Sequence, residues 1–575
     1  MREKLTYLLI VLILAGIMGC AGGRYMPVLP ELPAMNALPA LPSMRALPEL
    51  PALEALPEIG SIAEIPALPA MRSIPDMPDY SYEDYEYYQN QRRTTRLQRN
   101  EISEKIELTL NGQPGMTIDI EHSFGYVDVV KGTNSQVKIT GEKRVASRDD
   151  ELAADYLETM RLKVEERGTR LLIEAVYPDR EFSRSEMRRI THKTIFYTIE
   201  VPDNVDLEIN NNFGDIDLRD LSGKFNISTG MGRLFASGLK GETFLNNKFG
   251  EIRAENIDGN AEIVNANGAI EATGISGNLE ARTRFESIEI YDVKGSVIVN
   301  GGNGSVSVEK VAKEADIKNS FGAVTCTDIG AKTTIKNGNG RIRAVKIKGD
   351  IRAESSFNSI ELEEIEGTAD IIGGNGSITA EGVTGDVFVE NSFGRVECTD
   401  IGGAAEIRNK NGKVDVRNIG GKTTINSSFD GVNAEMIKGD LFIYNQNSTI
   451  SIVNVTGKID VENSFGPVTI EDANDDIVVS NQNGNITLRN VLTKESQAKR
   501  RVDLETSFAS IRIDLPADIS AILDASTTFG KIRTDFPVYV EDTRTNSNRI
   551  FAEFGTKKDT IEIRGRNTTI TINKR

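Results

Sequence analysis

Apolar residues recur in this chain at a spacing that no helix produces. From about residue 205 to residue 491, Ile, Val, Leu and Ala return at five fixed places in every block of eighteen residues. Counted from the Phe or Asn that opens a block, those places are 3, 5, 8, 12 and 14. The first holds Ile216, Ile252, Ile288, Val324 and Ile360; the last holds Ile227, Ile263, Val299, Ile335 and Ile371. Residues of one parity share one face of a strand. Each block therefore predicts two short strands that point Ile and Val inward, separated by Gly-containing turns. Gly one and ten places after the opening residue implies a positive φ or a close approach of backbone there.

The opening residues alternate. Phe stands at Phe213, Phe249, Phe285, Phe321, Phe357, Phe393, Phe429 and Phe465; Asn stands midway at Asn267, Asn303, Asn339, Asn375, Asn411, Asn447 and Asn483, with Met231 in the first such slot. The register does not slip between 213 and 483. Such a period means that each unit copies the structure of its neighbour. The fold class is all-β: a single-stranded β-solenoid, or β-helix, of 18-residue coils paired into 36-residue repeats, with a small α+β cap at its N-terminal end. Sixteen coils, fifteen steps of about 4.8 Å between residues 213 and 483, give a rod of roughly 72 Å. A buried Ile or Val contributes about 1.5–3 kcal/mol, against about 1–2 kcal/mol to order each residue. No single coil survives that comparison, so the array unfolds in large cooperative blocks.

The corners raise a chemical question. Asn also recurs two places before the opening residue, as at Asn211, Asn247, Asn265, Asn319, Asn337 and Asn391. Stacked amides can bond up and down the rod, and Asn tolerates left-handed turns, so an Asn ladder holds the corner. The Phe either fill the corner from inside or form an exposed aromatic ladder at about 9.6 Å spacing. An exposed ladder would be a binding surface.

Ahead of the repeat, the pattern changes twice. Arg2 and Lys4 precede an apolar run from Leu5 to Ile17, then Met18-Gly19-Cys20. The run is shorter than the roughly 20 residues that span a bilayer, and fits a secretory signal. Cys20 after a small residue resembles the bacterial lipobox. That resemblance implies lipidation of Cys20 and, with Ala21 following, outer-membrane placement. Residues 29–82 then repeat every nine, with Leu, Ile or Met at every third position from Leu29 to Met77, and twelve of the 18 Pro lie between Pro27 and Pro78. Pro at this density forbids an α-helix. Polyproline II has three residues per turn, so the period of three lays one apolar stripe along a rod of up to roughly 165 Å. The rod acts as a spacer, or its stripe docks on a partner, a lipid surface or a second copy. A Tyr-rich acidic tract (79–90) and an Arg-rich one (92–99) follow.

Residues 102–201 read as strands interrupted by a short helix opened by Ser147, with Asp149, Asp150 and Glu151 in its first turn and Leu152, Tyr156 and Met160 on one face. The organisation is thus 1–19 signal peptide, 20–100 Pro-rich spacer and linker, 101–204 cap, 205–491 regular solenoid, and 492–575 irregular C-terminal coils and cap. The passages IEVPDNVDLEINNNFGDIDLRDLSGKFNIS and NGNGRIRAVKIKGDI, with RIFAEFGTKKDTIEIRGRNTTITI near the end, resemble the bacterial putative-adhesin β-solenoid family, a domain of unknown function. The resemblance covers about residues 102–575. This chain departs from it by placing Phe in every second corner slot, and by seven extra residues between Gly484 and Phe508. The family brings no catalytic residues with it.

Composition narrows the choices. A net charge of −18 argues against nucleic acid, whose phosphates need clustered Lys and Arg. Cys326 and Cys398 lie four coils apart, about 19 Å, beyond disulfide reach, and read as free buried thiols. His122 and His192 are isolated in sequence, which argues against a metal or a Ser-His site. Gly421-Lys422-Thr423 lacks the first Gly of a phosphate loop, since residue 416 is Val416. GGNGS at 301–305 and 373–377 resembles part of a calcium β-roll, with Ser305 and Ser377 in place of Asp. Carboxylates follow the Phe corners (Asp215, Asp217, Glu251, Glu255, Glu361, Glu363, Glu364, Glu397), spread over coils as a solvated face. The reading is a non-enzymatic, cofactor-free and metal-free envelope lipoprotein at the outer membrane or cell surface. It displays a rigid solenoid for adhesion or scaffolding, toward a protein or glycan, with self-association through the Pro-rich stripe. A periplasmic stress or assembly factor, and a polysaccharide-processing β-helix enzyme, are the alternatives.

Overall fold

The computed structural model describes residues 100–575, except 495 and 543–545. The signal sequence, Cys20, the Pro-rich repeat and the Tyr cluster lie outside the described residues. The chain divides at Thr94/Thr95, and all described residues belong to the second part.

The core is a β-solenoid. Each coil contributes one strand to each of two parallel sheets, and each strand pairs with its equivalents eighteen residues away. In the front sheet Ile342 faces Val324 on one side and Ile360 on the other. In the back sheet Ile335 lies between Ile317 and Ala353. The five apolar places all face the interior: Val324, Cys326, Ile329, Thr333 and Ile335 of one coil are fully buried. Burial alternates in the back-sheet strands, as in Ile351–Ser355.

One turn escaped the periodicity. Places 5 and 8 differ in parity, so a continuous strand cannot send both inward. The residue at place 7 resolves this by adopting a left-handed conformation in every regular coil, from Asp220 (φ 53°) through Gly238, Asn256 and Gly274 to Asp472 and Asn490. Asp, Asn and Gly tolerate it; Lys310, Lys346, Glu364 and Met436 adopt it as well. Positive φ at the Gly places is confined to a few coils, such as Gly214, Gly232 and Gly394. Elsewhere the demand is proximity: a Cβ on Gly250 would lie 1.7 Å from the Gly232 carbonyl oxygen.

The stacking reaches further into both ends than the sequence period does. Strand Thr117–Phe124 pairs in parallel with Asp206–Phe213, and Val127–Lys131 with Ile216–Arg219. Helix Asp150–Thr159 is capped by Asp149, whose carboxylate accepts from the Leu152 amide at 3.2 Å. Ser147 ends the preceding strand and instead accepts from Asp149. Leu152, Tyr156 and Met160 are buried. At the other end strand order leaves sequence order: Asp559–Arg566 lies between Arg501–Thr506 and Ala521–Thr528. A buried ion pair, Arg500 Nη2 to Asp559 Oδ2 at 2.6 Å, fixes that insertion.

Candidate functional site

The corners carry the features that the core does not explain. Two places before the opening residue, the side chain points inward and is buried at Asn211, Thr229, Asn247, Asn265, Thr283, Asn319 and Asn337, while Gly301 and Gly373 hold that place in two coils. The amides do not pair with one another. Asn319 Nδ2 donates to the carbonyls of Gly304 at 3.1 Å and Gly322 at 2.8 Å. Asn337 repeats the first of these bonds to Gly322 at 2.8 Å, and Asn409 binds Gly394 and Gly412. These amides thus tie the corner backbone of one coil to that of the coil before it, whereas Asn445 only accepts from the Gln446 amide. Thr283 and Ser355 use a hydroxyl for the same carbonyl. This meets the need of buried carbonyls for donors.

With the inside of the corner occupied by amides, there is no room for a ring. The reading that Phe fills the corner from inside is therefore corrected: the rings stand outside. Exposure runs from 45% at Phe213 to 62% at Phe357, and all eight regular Phe are exposed, as is Met231. The Asn that alternate with them lie on the same line and brace it. Asn267 donates to the Lys248 carbonyl at 2.8 Å, and Asn339, Asn411, Asn447 and Asn483 make the equivalent bond one coil back. For Asn303 and Asn375 the described bonds are through the backbone.

The alternation persists where the chain order does not. Asn481 pairs with Thr506, placing Phe508 next to Asn483. The registers of Asp559–Arg566 then set Asn567 between Phe508 and Phe529, which are 62% and 58% exposed. At the other end Phe124 pairs with Phe213, their rings stacked at 5.2 Å and 6°. Tyr177 closes the row edge-on against Phe124 and donates its hydroxyl to the Phe124 carbonyl at 2.6 Å. The result is one ridge from Tyr177 to Phe529 whose rungs are aromatic or amide, save Met231. Duplication of a 36-residue unit accounts for the regular part alone; the out-of-order rungs at 508, 567 and 529 require something else to keep the alternation.

No protein-family model matches the chain, and no curated protein matches it. A solved structure of a putative cell adhesion protein from Clostridium sporogenes is similar at 8% identity, covering 83% of this chain and 100% of that one, with a TM-score of 0.13.

Beside the ridge, on the back-sheet side, runs a shallow groove of about 780 Å³, lined among others by Glu390, Arg408, Asn426, Tyr444, Glu462 and Ser480. Its floor is polar, and Arg408 pairs with Glu390 at 3.0 Å. Carboxylates after the Phe corners pair with Arg of the same strand or of the neighbouring coil. Asp217 binds Arg219 at 2.8 Å, Glu255 binds Arg253 at 2.5 Å, and Glu363 binds Arg343 at 2.8 Å. Glu271 stands above the usual carboxylate range, chiefly through burial and despite Arg253, with Glu251, Glu255 and Glu289 adding to it. Among the described residues no group of three or more His, Cys, Asp or Glu could hold a metal ion.

Cys326 and Cys398 are free and buried, and burial pushes both thiols up to about 12. His122 occupies the inward corner place of the first coil, next to Asn211. It packs edge-on against Tyr197 at 5.2 Å, and burial lowers it to about 4. His192 is exposed, 3.8 Å from Glu101. Among the described residues no helix is long and apolar enough to cross a membrane.

Proposed function

We propose that this chain is a cell-envelope lipoprotein, anchored through Cys20 at the outer membrane or cell surface, whose solenoid serves adhesion or envelope scaffolding and does no catalysis. The observation that carries this reading is the exposed Phe/Asn ridge. Soluble proteins seldom leave an ordered apolar line in water without a partner for it. Ten half-exposed Phe, at roughly 100 Å² each, offer about 1,000 Å² of aromatic surface. A protein or a glycan can use it: rings supply apolar contact, and the intervening amides and the polar groove supply hydrogen bonds. The ion-paired carboxylates favour a binding role over hydrolysis, which needs two carboxyl groups flanking an open bond site.

Protease shaving of intact cells, followed by mass spectrometry of the released peptides, tests the placement. Release of solenoid peptides from intact cells supports surface adhesion. Protection until the envelope is permeabilised removes adhesion and favours the periplasmic assembly reading. Turnover of a polysaccharide by the purified chain would instead favour the enzyme.

A further inference from the structure

The ridge and the Pro-rich repeat share a period. Successive Phe are two coils apart, about 9.6 Å at roughly 4.8 Å per coil. A polyproline II strand rises about 3.1 Å per residue with three residues per turn, so its every-third-residue stripe repeats at about 9.3 Å. From Leu29 to Met77 each third residue is Leu, Ile or Met without interruption. We propose that the ridge is a docking track for such a strand, supplied by residues 29–82 of a second copy of this chain. Each apolar side chain of the stripe sits against one Phe, and the alternating Asn face the strand's backbone.

Three quantities support the match. The mismatch of about 0.3 Å per step accumulates to about 2.7 Å over the nine steps from Phe213 to Phe529, less than the roughly 5 Å breadth of a ring. The stripe extends for about 150 Å in polyproline II, and the ridge from Phe213 to Phe529 for about 86 Å, so one strand covers the ridge. The roughly 1,000 Å² of exposed ring meets the about 800 Å² per partner of a standard interface. Aromatic surfaces are the usual receptors of polyproline II strands, which lose little entropy on binding. Each chain carries one ridge and one stripe, so two copies satisfy each other reciprocally, as a twofold pair requires.

The test is sedimentation velocity of the purified full chain over a hundredfold concentration range. It carries Cys20→Ser so that no lipid holds copies together, which makes the result independent of cellular placement. One variant carries Phe321→Ser, Phe357→Ser and Phe393→Ser; another carries Leu41→Ser, Met44→Ser, Leu47→Ser and Leu50→Ser. The stripe variant lies outside the solenoid and leaves its folding untouched. Concentration-dependent dimerisation, weakened at least tenfold by either variant and partly restored on mixing the two, is expected. A monomer at every concentration, or a dimer indifferent to both variants, overturns the proposal. So does a monomer whose stripe is protected from protease at every concentration, which would put the strand on its own ridge. Ridge-dependent pelleting of a monomer with an insoluble β-linked polysaccharide would assign the track to a glycan and overturn it too.

Discussion

Phe124 and Phe213 are far apart in sequence, yet their rings stack at 5.2 Å with planes within 6°. The N-terminal cap thus continues the outer line of the solenoid, and Phe508 and Phe529 do so at the other end. What these positions share is a corner whose interior is already filled.

An exposed ring and a buried aliphatic three places later differ sharply in what they contribute. Phe357 is 62% exposed and Ile360 is fully buried. Phe357→Asp should change stability by no more than about 0.5 kcal/mol, whereas Ile360→Ala should cost about 2–5 kcal/mol. Urea denaturation of both variants checks this. A loss above 2 kcal/mol for Phe357→Asp would mean that the ring is buried.

The inward amides hold the corners together. Asn319→Ala strips the side-chain donor from the Gly304 carbonyl, while that of Gly322 keeps Asn337, and should cost about 1–3 kcal/mol, the range for one unpaired buried group. Asn319→Thr should recover roughly half, because Thr283 already binds the equivalent carbonyl at 3.0 Å. Equal losses for the two substitutions would remove the amide from this role.

His122 makes the cap acid-sensitive. Its folded value of about 4 lies below the ordinary 6.5. The stability it contributes is complete above pH 6.5 and is lost as pH falls toward 4. The difference corresponds to about 3 kcal/mol. His122→Gln should flatten the stability profile between those pH values. A wild-type profile already flat there would show that His122 is protonated without penalty.

The buried thiols should be inert. Cys326 and Cys398 sit in the front sheet's inner face with thiols near 12, and it is the thiolate that reacts. Iodoacetamide should leave both unmodified in the native chain and alkylate both in denaturant, read as a mass shift. Native alkylation of either would mean that the coil around it opens.

Much of the fold was legible because inward apolar places and outward polar ones recur in a fixed register; Ile342 between Val324 and Ile360 follows from counting. The left-handed residue at place 7 was legible in principle from Asp, Asn and Gly there, but Lys310 and Met436 in the same place obscured it. The direction of the Phe was not legible. By strand parity Phe213 belongs with the inward Asn211, and only the space taken by the amides turns it out. The rung order Phe508, Asn567, Phe529 was hidden because those strands stack out of sequence, which no period reveals.

The ridge is the proposed binding surface of this protein, and it joins cells when the strand docked on it belongs to a copy on a neighbouring cell. The most direct test of that role compares attachment of cells carrying the wild-type chain with cells carrying Phe321→Ser, Phe357→Ser and Phe393→Ser, at matched surface amounts and melting temperatures. Attachment should fall at least tenfold with the fold intact. Undiminished attachment by the variant would contradict that role.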